Sequence, residues 1–234
     1  MSDVSKVYPS GEGPHTAAIK AASLVVLRDG ADGLELLMLK RPPGGNFGDF
    51  WVFPGGKVDA DDHLEHDVDP LAGYRRAAAR EAAEECALAI AADAVVTLSY
   101  WEPPPRAGVR FGTGFFAAEH PGTHVTIDGS EIVEYDWIRP RDGHRRRDDG
   151  GFSLAPPTWV TLETLAAYPS VGAALAGLGG QVGPPDYRTR LGKVGDEMVA
   201  MWHGDAGYEP HDPHVDGNRH RLVMGDSYRF ERRG

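Results

Sequence analysis

Apolar runs separated by short polar turns divide much of the chain into strand-sized segments. Residues 21–28 are almost all apolar, which is typical of a strand buried on both faces, and 34–39 form a second such run after the turn residues at 29–33. The two runs therefore predict a β-hairpin. Four later segments also have the composition of strands: 50–53, 94–102, 110–118 and 132–138.

Helical patterns are spaced irregularly among these strands. From residue 70 or 71 to about 87 the sequence consists mainly of strong helix formers, with Pro70 suited to a first turn. The remaining segments predict two helices at 157–168 and 170–178, a charged loop at 139–151, and a final strand pair at 194–202 and 220–230 around a polar loop. Because strands and helices mix without strict alternation, the pattern favours a mixed sheet sandwiched by helices over a doubly wound sheet.

Composition and charge narrow the kinds of partner. With 41% hydrophobic and 25% charged residues among 234, the chain has the composition of a soluble globular protein. The 24 Lys and Arg residues against 35 Asp and Glu give a net charge of −11, which disfavours nucleic acid as a partner because its binding relies on basic side chains. A phosphate-bearing substrate would need a cation between itself and this acidic protein.

The cysteine content and the lengths of the apolar runs bear on the cellular compartment. The single cysteine, Cys86, excludes an intramolecular disulfide and fits a reducing cytosol. No apolar run approaches the roughly 18 residues that a membrane span needs, and the first residues do not resemble a secretory signal. We therefore expect a cytoplasmic protein without a membrane partner.

The clearest chemistry lies in residues 80–85, which read Arg-Glu-Ala-Ala-Glu-Glu. On a helix, Glu81, Glu84 and Glu85 share one edge, and small apolar residues on the opposite face would let the helix approach a sheet closely. Like charges at these spacings destabilise a helix by about 0.2–0.5 kcal/mol per pair, and a hard divalent cation such as Mg²⁺ would relieve the repulsion. The alternative interpretation is a solvated Glu-rich helix edge.

Upstream of this helix, residues 51–57 read Trp-Val-Phe-Pro-Gly-Gly-Lys. The pattern predicts a short aromatic strand that ends in a Pro-Gly-Gly turn. Glycines in such a turn let the backbone pass close to a ligand and present N–H groups to phosphate oxygens. Trp51 has two interpretations, stacking on a nucleotide base or packing in the core.

The two segments together resemble the Nudix box, in which a glycine is followed by an acid and then by Arg-Glu, two further residues and Glu-Glu. Gly56 supplies the glycine, and Arg80, Glu81, Glu84 and Glu85 supply the later charges. The flanking segments 36–41 and 131–137 are similar to the strands before and after the box. The resemblance covers about residues 18–178 and implies an α+β fold, a Nudix-type α/β/α sandwich with a mixed β-sheet and a C-terminal extension.

The resemblance also implies a domain organisation. We expect a flexible arm at 1–17, a Nudix hydrolase domain at 18–180 and a C-terminal extension at 181–234 packed on the same domain. Members of this family often pair, so a homodimer is among the expected assemblies.

The activity implied by the resemblance is hydrolysis of a pyrophosphate bond in a nucleoside diphosphate linked to another moiety, with Mg²⁺ or Mn²⁺ as cofactor. The implied metal ligands are Glu81, Glu84, Glu85 and the Gly56 carbonyl. The catalytic candidates are Glu84, Glu131 and Arg80, with Glu134 a second choice to Glu131. The substrate-binding candidates are Arg41, Lys57, Gly55, Gly56 and Trp51. The alternative function is a non-catalytic nucleotide-sensing or regulatory module with the same fold.

The chain departs from the family pattern around the box. Gly56 and Arg80 are 24 residues apart where the pattern has fourteen, so about ten residues are inserted. The first box acid has no clear equivalent, with Asp59 or Asp62 as its substitute, and Ala87 replaces the glycine that normally helps end the helix. The insertion and the extension are similar to the acyl-coenzyme A diphosphatase branch, which makes coenzyme A or acyl-coenzyme A a candidate substrate.

Overall fold

The computed structural model describes residues 17–44, 47–104 and 109–233. The arm predicted at 1–17 lies outside these residues except for its last position. The chain separates into a first unit, Lys20–Ser99 with Thr113–Pro184, and a second unit, Tyr100–Gly112 with Pro185–Gly234 and the chain up to Ile19. The boundary that we predicted at 180/181 stays a prediction.

The first unit is built on a sheet that begins with the predicted hairpin. Strands β1 (Ile19–Gly30) and β2 (Gly33–Lys40) are antiparallel, and Gly30 faces Gly33 at the turn. The later strands are β3 (Trp51–Val52), β4 (Gly55–Lys57), β5 (Val96–Glu102), β6 (Phe111–Glu119) and β7 (Glu134–Ile138). Their order is β3-β2-β1-β6-β5, with β4 also paired to β1 and β7 to β2.

The central strand β1 explains why the sequence shows an unbroken apolar run there. Residues 24–27 of β1 are all completely buried, so both faces of the strand are covered. Each such side chain stabilises the fold by about 1.5–3 kcal/mol when it leaves water. The sheet is therefore an interior layer, as the sandwich prediction requires.

Four helices are described, and three of them match the predictions. They are α1 (Ala72–Cys86), α2 (Pro140–Asp148), α3 (Pro156–Leu165) and α4 (Val171–Gly179). After α1 ends, Ala87 adopts the left-handed conformation, φ 56°, that a glycine takes at lower cost. None of the helices in the described residues is long and apolar enough to span a membrane.

The charged loop that we predicted at 139–151 is wrong, because Pro140–Asp148 forms α2. Pro140 occupies the first turn, where its missing N–H costs nothing, and Asp142 pairs with Arg139 at 2.9 Å and with Arg145 at 2.8 Å. Three arginines in the last turn interact favourably with the helix dipole. The buried face consists of a proline, a glycine and an arginine, so it has no hydrophobic periodicity to detect.

The second unit contains more strands than the sequence predicted. A short strand, β8 (Asp186–Arg188), runs parallel to Tyr100–Glu102, the end of β5 that belongs to this unit. Four more strands form an antiparallel sheet in the order β12-β11-β10-β9. These are β9 (Arg190–Val194), β10 (Glu197–Met201), β11 (Arg219–Met224) and β12 (Tyr228–Arg233). The run 220–230 was predicted as one strand, which is wrong, because Gly225-Asp226 turns the chain between β11 and β12. The run 194–202 contains β10, but the turn at 195–196 separates it from Val194, which ends β9, a strand that we did not predict.

The long polar loop before β11 is fixed by a buried ion pair. The Asp205 side chain is fully buried and accepts hydrogen bonds from Arg221 Nε at 2.7 Å and Nη2 at 2.6 Å. It also accepts the backbone N–H groups of Gly207 and His220, both at 2.8 Å. One carboxylate thus connects the loop to β11, and its loss would leave the Arg221 charge buried without compensation.

We expect Asp205→Asn to lower the free energy of unfolding by about 3–5 kcal/mol, because removing one partner strands the other charge. The control is Glu197→Gln, which breaks the exposed pair with Arg229 in the same sheet and should cost about 1 kcal/mol or less. Urea denaturation of the two variants measures both values. Equal losses of unfolding free energy in the two variants would show that the buried ion pair stabilises the fold no more than the exposed one.

The difference in free energy of unfolding between wild type and Asp205→Asn should depend on pH with a definite sign. Burial alone would raise the pKa of Asp205, but the hydrogen bonds from Arg221 and the two amides outweigh it and lower that pKa. The stabilisation is therefore complete above the unfolded-state pKa of about 4 and is lost as the pH falls through the folded-state pKa. We expect the gap between wild type and Asp205→Asn to narrow on acidification.

Candidate active site

Helix α1 lies against the sheet through a face of small side chains. Ala77, Ala78, Ala82 and Cys86 are completely buried in one core with residues of β1 and β2. Because these side chains are short, the α1 backbone can approach closely, and α1 contacts β4 directly. The predicted packing is confirmed, and it places the acidic edge of α1 beside the glycine turn.

Two glycines of β4 meet two carboxylates of α1. Gly55 N–H donates to Glu85 Oε2 at 2.9 Å. A Cβ on Gly56 would lie 2.5 Å from Glu81 Cδ, which is far inside van der Waals contact. Only glycine therefore leaves Glu81 its present position, and the sequence patterns at 55–56 and 80–85 belong to one site.

The two carboxyl groups sit in surroundings that disfavour their charge. The pKa of Glu85 is raised to about 7, chiefly by burial, with Glu81 and Glu131 adding to the effect and the Gly55 N–H and Arg41 opposing it. Burial also raises the pKa of Glu81, with Glu84 and Glu131 adding to the effect and Arg80 opposing it. Positive charge brought to this place would stabilise both anions.

Arg80 is the cation that the chain itself supplies. Its Nη1 donates to Glu81 Oε1 at 2.8 Å and to Glu84 Oε2 at 3.0 Å, and its Nη2 donates to the Lys57 carbonyl at 3.0 Å. The guanidinium thus joins the acidic edge of α1 to the end of β4. Hydrogen bonds to carboxylates raise the pKa of Arg80, so its charge is permanent.

The structure identifies which inserted acid lies against Arg80. Asp62 accepts Arg80 Nε at 3.2 Å and Nη2 at 2.9 Å, and it also accepts the Asp59 N–H at 2.9 Å. Its side chain is 7% exposed, whereas that of Asp59 is 65% exposed and 3.7 Å from Arg80. Of the two substitutes weighed for the first box acid, Asp62 is the one that is buried and bonded.

Two further candidates, Glu131 and Arg41, lie close to each other. Glu131 precedes β7 and lies 3.9 Å from Arg41, which follows β2. Both affect the pKa of Glu85, so both are near the carboxylates of α1. Glu134 instead pairs with Lys40 at 3.2 Å.

The remaining two side-chain candidates, Lys57 and Trp51, differ in their exposure to solvent. Lys57 has an exposed side chain at the end of β4, where its carbonyl binds Arg80. Trp51 is 4% exposed and its ring stacks on Phe152 with centroids 4.3 Å apart. Its burial and its stacking on Phe152 favour the core interpretation over stacking on a nucleotide base.

Whether these residues fit a divalent cation can be judged from their chemistry. Among the described residues, no three His, Cys, Asp or Glu side chains are grouped so as to hold a metal as they stand. Arg80 binds one oxygen each of Glu81 and Glu84 in this arrangement. The donor set itself fits, since carboxylates, which are hard oxygen ligands, crowd beside Gly56, whose missing Cβ gives Glu81 its place.

Comparison with known proteins identifies the family. The NUDIX domain matches residues 18–155, more than half of the chain, so the chain belongs to the NUDIX family. It is accordingly a Nudix hydrolase, an enzyme that hydrolyses pyrophosphate bonds in nucleoside diphosphate derivatives. No curated protein matches the sequence significantly.

Several solved structures are similar to parts of this chain. A NUDIX hydrolase from Alicyclobacillus acidocaldarius has a TM-score of 0.62 at 25% identity, covering 72% of this chain and 99% of that one. The NUDIX domain of Shewanella oneidensis NrtR, solved with ADP ribose, has a TM-score of 0.49 at 17% identity and covers 65% and 88%. A C. elegans Ap4A hydrolase has a TM-score of 0.42 at 23% identity and covers 64% and 96%.

Some residues beside the site were missed. Arg75 and Arg76 of α1 pair with Asp69 and Asp67 of the inserted residues, and we did not predict these pairs from the sequence. The sequence does contain a signal for these ion pairs, because the acids at 59–69 are followed by three arginines at 75–80 that can neutralise them.

The two glycines give a matched test of this geometry. We expect Gly55→Ala to lower the free energy of unfolding by about 1–3 kcal/mol, because its Cβ would lie 2.9 Å from backbone Cα of Ser23. Gly56→Ala meets only the flexible end of Glu81, so it should cost about 1 kcal/mol or less but reduce hydrolysis about 10- to 100-fold. Melting curves and turnover numbers measure both, and full activity of Gly56→Ala would contradict the close packing of Glu81.

Proposed function

We propose that this Nudix hydrolase requires Mg²⁺ or Mn²⁺ to hydrolyse pyrophosphate bonds, and that its substrate is a nucleoside diphosphate joined to a second moiety such as coenzyme A. The observation that carries the proposal is the position of Glu81 and Glu85 against Gly56 and Gly55. Two neighbouring carboxylates held beside a glycine turn are suited to a doubly charged cation and to the phosphates it would carry.

The residues that would hold the cation are Glu81, Glu84, Glu85 and the Gly56 carbonyl. Such a cation neutralises phosphate charge and activates water for attack. Arg80 presently bonds to Glu81 and Glu84, and its further bonds to Asp62 and Lys57 keep it in place when those carboxylates turn toward a ligand. Arg80 is therefore expected to orient the carboxylates without leaving the site.

The proton of the attacking water needs a base, and the chain offers two. Glu84 is 58% exposed on the edge of α1, and Glu131 is 70% exposed before β7, so solvent reaches both. Either carboxylate would contribute about 10²–10⁴-fold to the rate by accepting this proton. Arg41, beside Glu131, and Lys57 are the cations that we expect to bind phosphate oxygens.

We propose a chemical class for the second moiety of the substrate. Coenzyme A or acyl-coenzyme A is supported by the resemblance of the insertion and the C-terminal extension to the acyl-coenzyme A diphosphatase branch. A net charge of −11 supports a small nucleotide over a nucleic acid, because a small diphosphate can be neutralised locally by one cation and a few basic side chains.

The test is a panel of coenzyme A, acetyl-coenzyme A, ADP-ribose, NADH and diadenosine tetraphosphate, each with Mg²⁺, Mn²⁺ or EDTA. We expect phosphate-ester products from at least one substrate with either cation and none in EDTA. Glu84→Gln should reduce turnover at least about 100-fold with an unchanged melting temperature, because it removes an anionic ligand. Glu119→Gln, at an exposed strand end, is the control and should keep full activity.

The outcomes separate the proposal from the sensing module. Ligand-dependent rises in melting temperature without any product, across the whole panel, would favour the sensing module. Turnover that persists in EDTA, or a Glu84→Gln variant as active as Glu119→Gln, would refute the metal assignment.

A further inference from the structure

The inserted residues fold back along α1 and are tied to it by arginines. We call residues 59–71 the strap. Arg76 Nε donates to the Asp62 carbonyl at 2.6 Å, and Arg76 Nη2 pairs with Asp67. Arg75 pairs with Asp69, whose other oxygen accepts the Leu71 N–H at 2.9 Å. Two neighbouring arginines of one helix thus hold two different parts of the strap.

Asp62 is held from both ends by residues one helical turn apart. Arg76 binds its backbone carbonyl, and Arg80 binds both oxygens of its carboxylate. The carboxylate also closes a short turn by accepting the Asp59 N–H. Because the carbonyl and the side chain belong to one residue, fixing the first limits the positions that the second can take.

We propose that Arg76 is a positioning residue for the hydrolysis, acting through Asp62 on Arg80. This inference rests on the function proposed above. Arg76 fixes the carbonyl of Asp62, the Asp62 carboxylate fixes the guanidinium of Arg80, and Arg80 aligns Glu81 and Glu84. Without Arg76, Asp62 would lie on a long connection between Gly56 and Arg80 that can adopt many conformations. The conformational entropy lost on ordering this connection would then oppose the alignment of the site.

Arg75 provides the contrast that makes this specific. It carries the same charge, stands next to Arg76 on α1 and pairs with an aspartate of the strap. Its aspartate, Asp69, lies at the helix end of the strap, seven positions from Asp62. Losing Arg75 should loosen the end of the strap while leaving Asp62 bound by Arg76.

The activity test compares Arg76→Gln with Arg75→Gln on the panel substrate that the wild type turns over fastest. We expect Arg76→Gln to lower kcat about 10-fold with KM within twofold, because alignment of the carboxylates rather than substrate binding is impaired. Arg75→Gln should stay within twofold of wild type in both. If Arg76→Gln does not fold, Arg76→Lys replaces it, since lysine keeps the charge toward Asp67 but lacks the Nε donor.

A double-mutant cycle tests the route through Asp62. In the Asp62→Asn background we expect Arg76→Gln to change kcat less than twofold, because residues that act through one partner are not additive. Independent, additive losses would overturn the proposal, and so would equal effects of Arg76→Gln and Arg75→Gln.

Hydrogen exchange of the protein in EDTA gives a readout without turnover. The N–H groups of Asp59, Asp62 and His63 are all bonded within the turn. We expect Arg76→Gln to exchange them at least about fivefold faster than wild type, and Arg75→Gln to leave them unchanged. Unchanged exchange in Arg76→Gln overturns the proposal even if the enzyme is active. Faster exchange with normal kcat overturns the positioning role. An inactive wild type refutes the proposed function alone, and the exchange result still decides whether Arg76 fixes Asp62.

Discussion

The close packing of α1 on the sheet is the constraint on which the site depends. Alanines at 77, 78 and 82 let the helix backbone lie near β4, and glycines at 55 and 56 remove the side chains that would keep it away. The consequence is that Glu85 is buried against a backbone N–H and Glu81 occupies the space of a missing Cβ. A larger side chain on either element would separate the carboxylates from the glycine turn.

Charge compensation follows from this packing. Burying acids disfavours their anionic form, and here the pKa values of Glu81 and Glu85 are both raised. Arg80 compensates part of the charge, and it is itself held by Asp62 and the Lys57 carbonyl. The proposed cation would complete the compensation and would let a chain with a net charge of −11 bind phosphates beside its own acids.

The sequence predicted the elements whose signals are local. The unbroken apolar run of β1, the hairpin turn, the helix formers of α1 and its alanine face all appear in the structure because burial itself shapes those patterns. Helix α2 was missed because ion pairs and a proline stabilise it instead of an apolar face. The strand count of the second unit was too low because two Gly-Asp turns were passed over. In the site, the substitute for the first box acid could be narrowed from the sequence to Asp59 or Asp62. The sequence could not decide between them, because the choice depends on how the inserted residues fold back. The roles assigned to the individual glutamates stay predictions.

The most direct measurement is binding of Mn²⁺ itself, followed by electron paramagnetic resonance of the free ion, in wild type and in Glu81→Gln/Glu85→Gln. Carboxylates of α1 that hold a divalent cation predict tight binding by the wild type and its loss in the double variant, with Glu119→Gln binding like wild type. Equal Mn²⁺ binding by all three proteins would contradict a cation site on this helix.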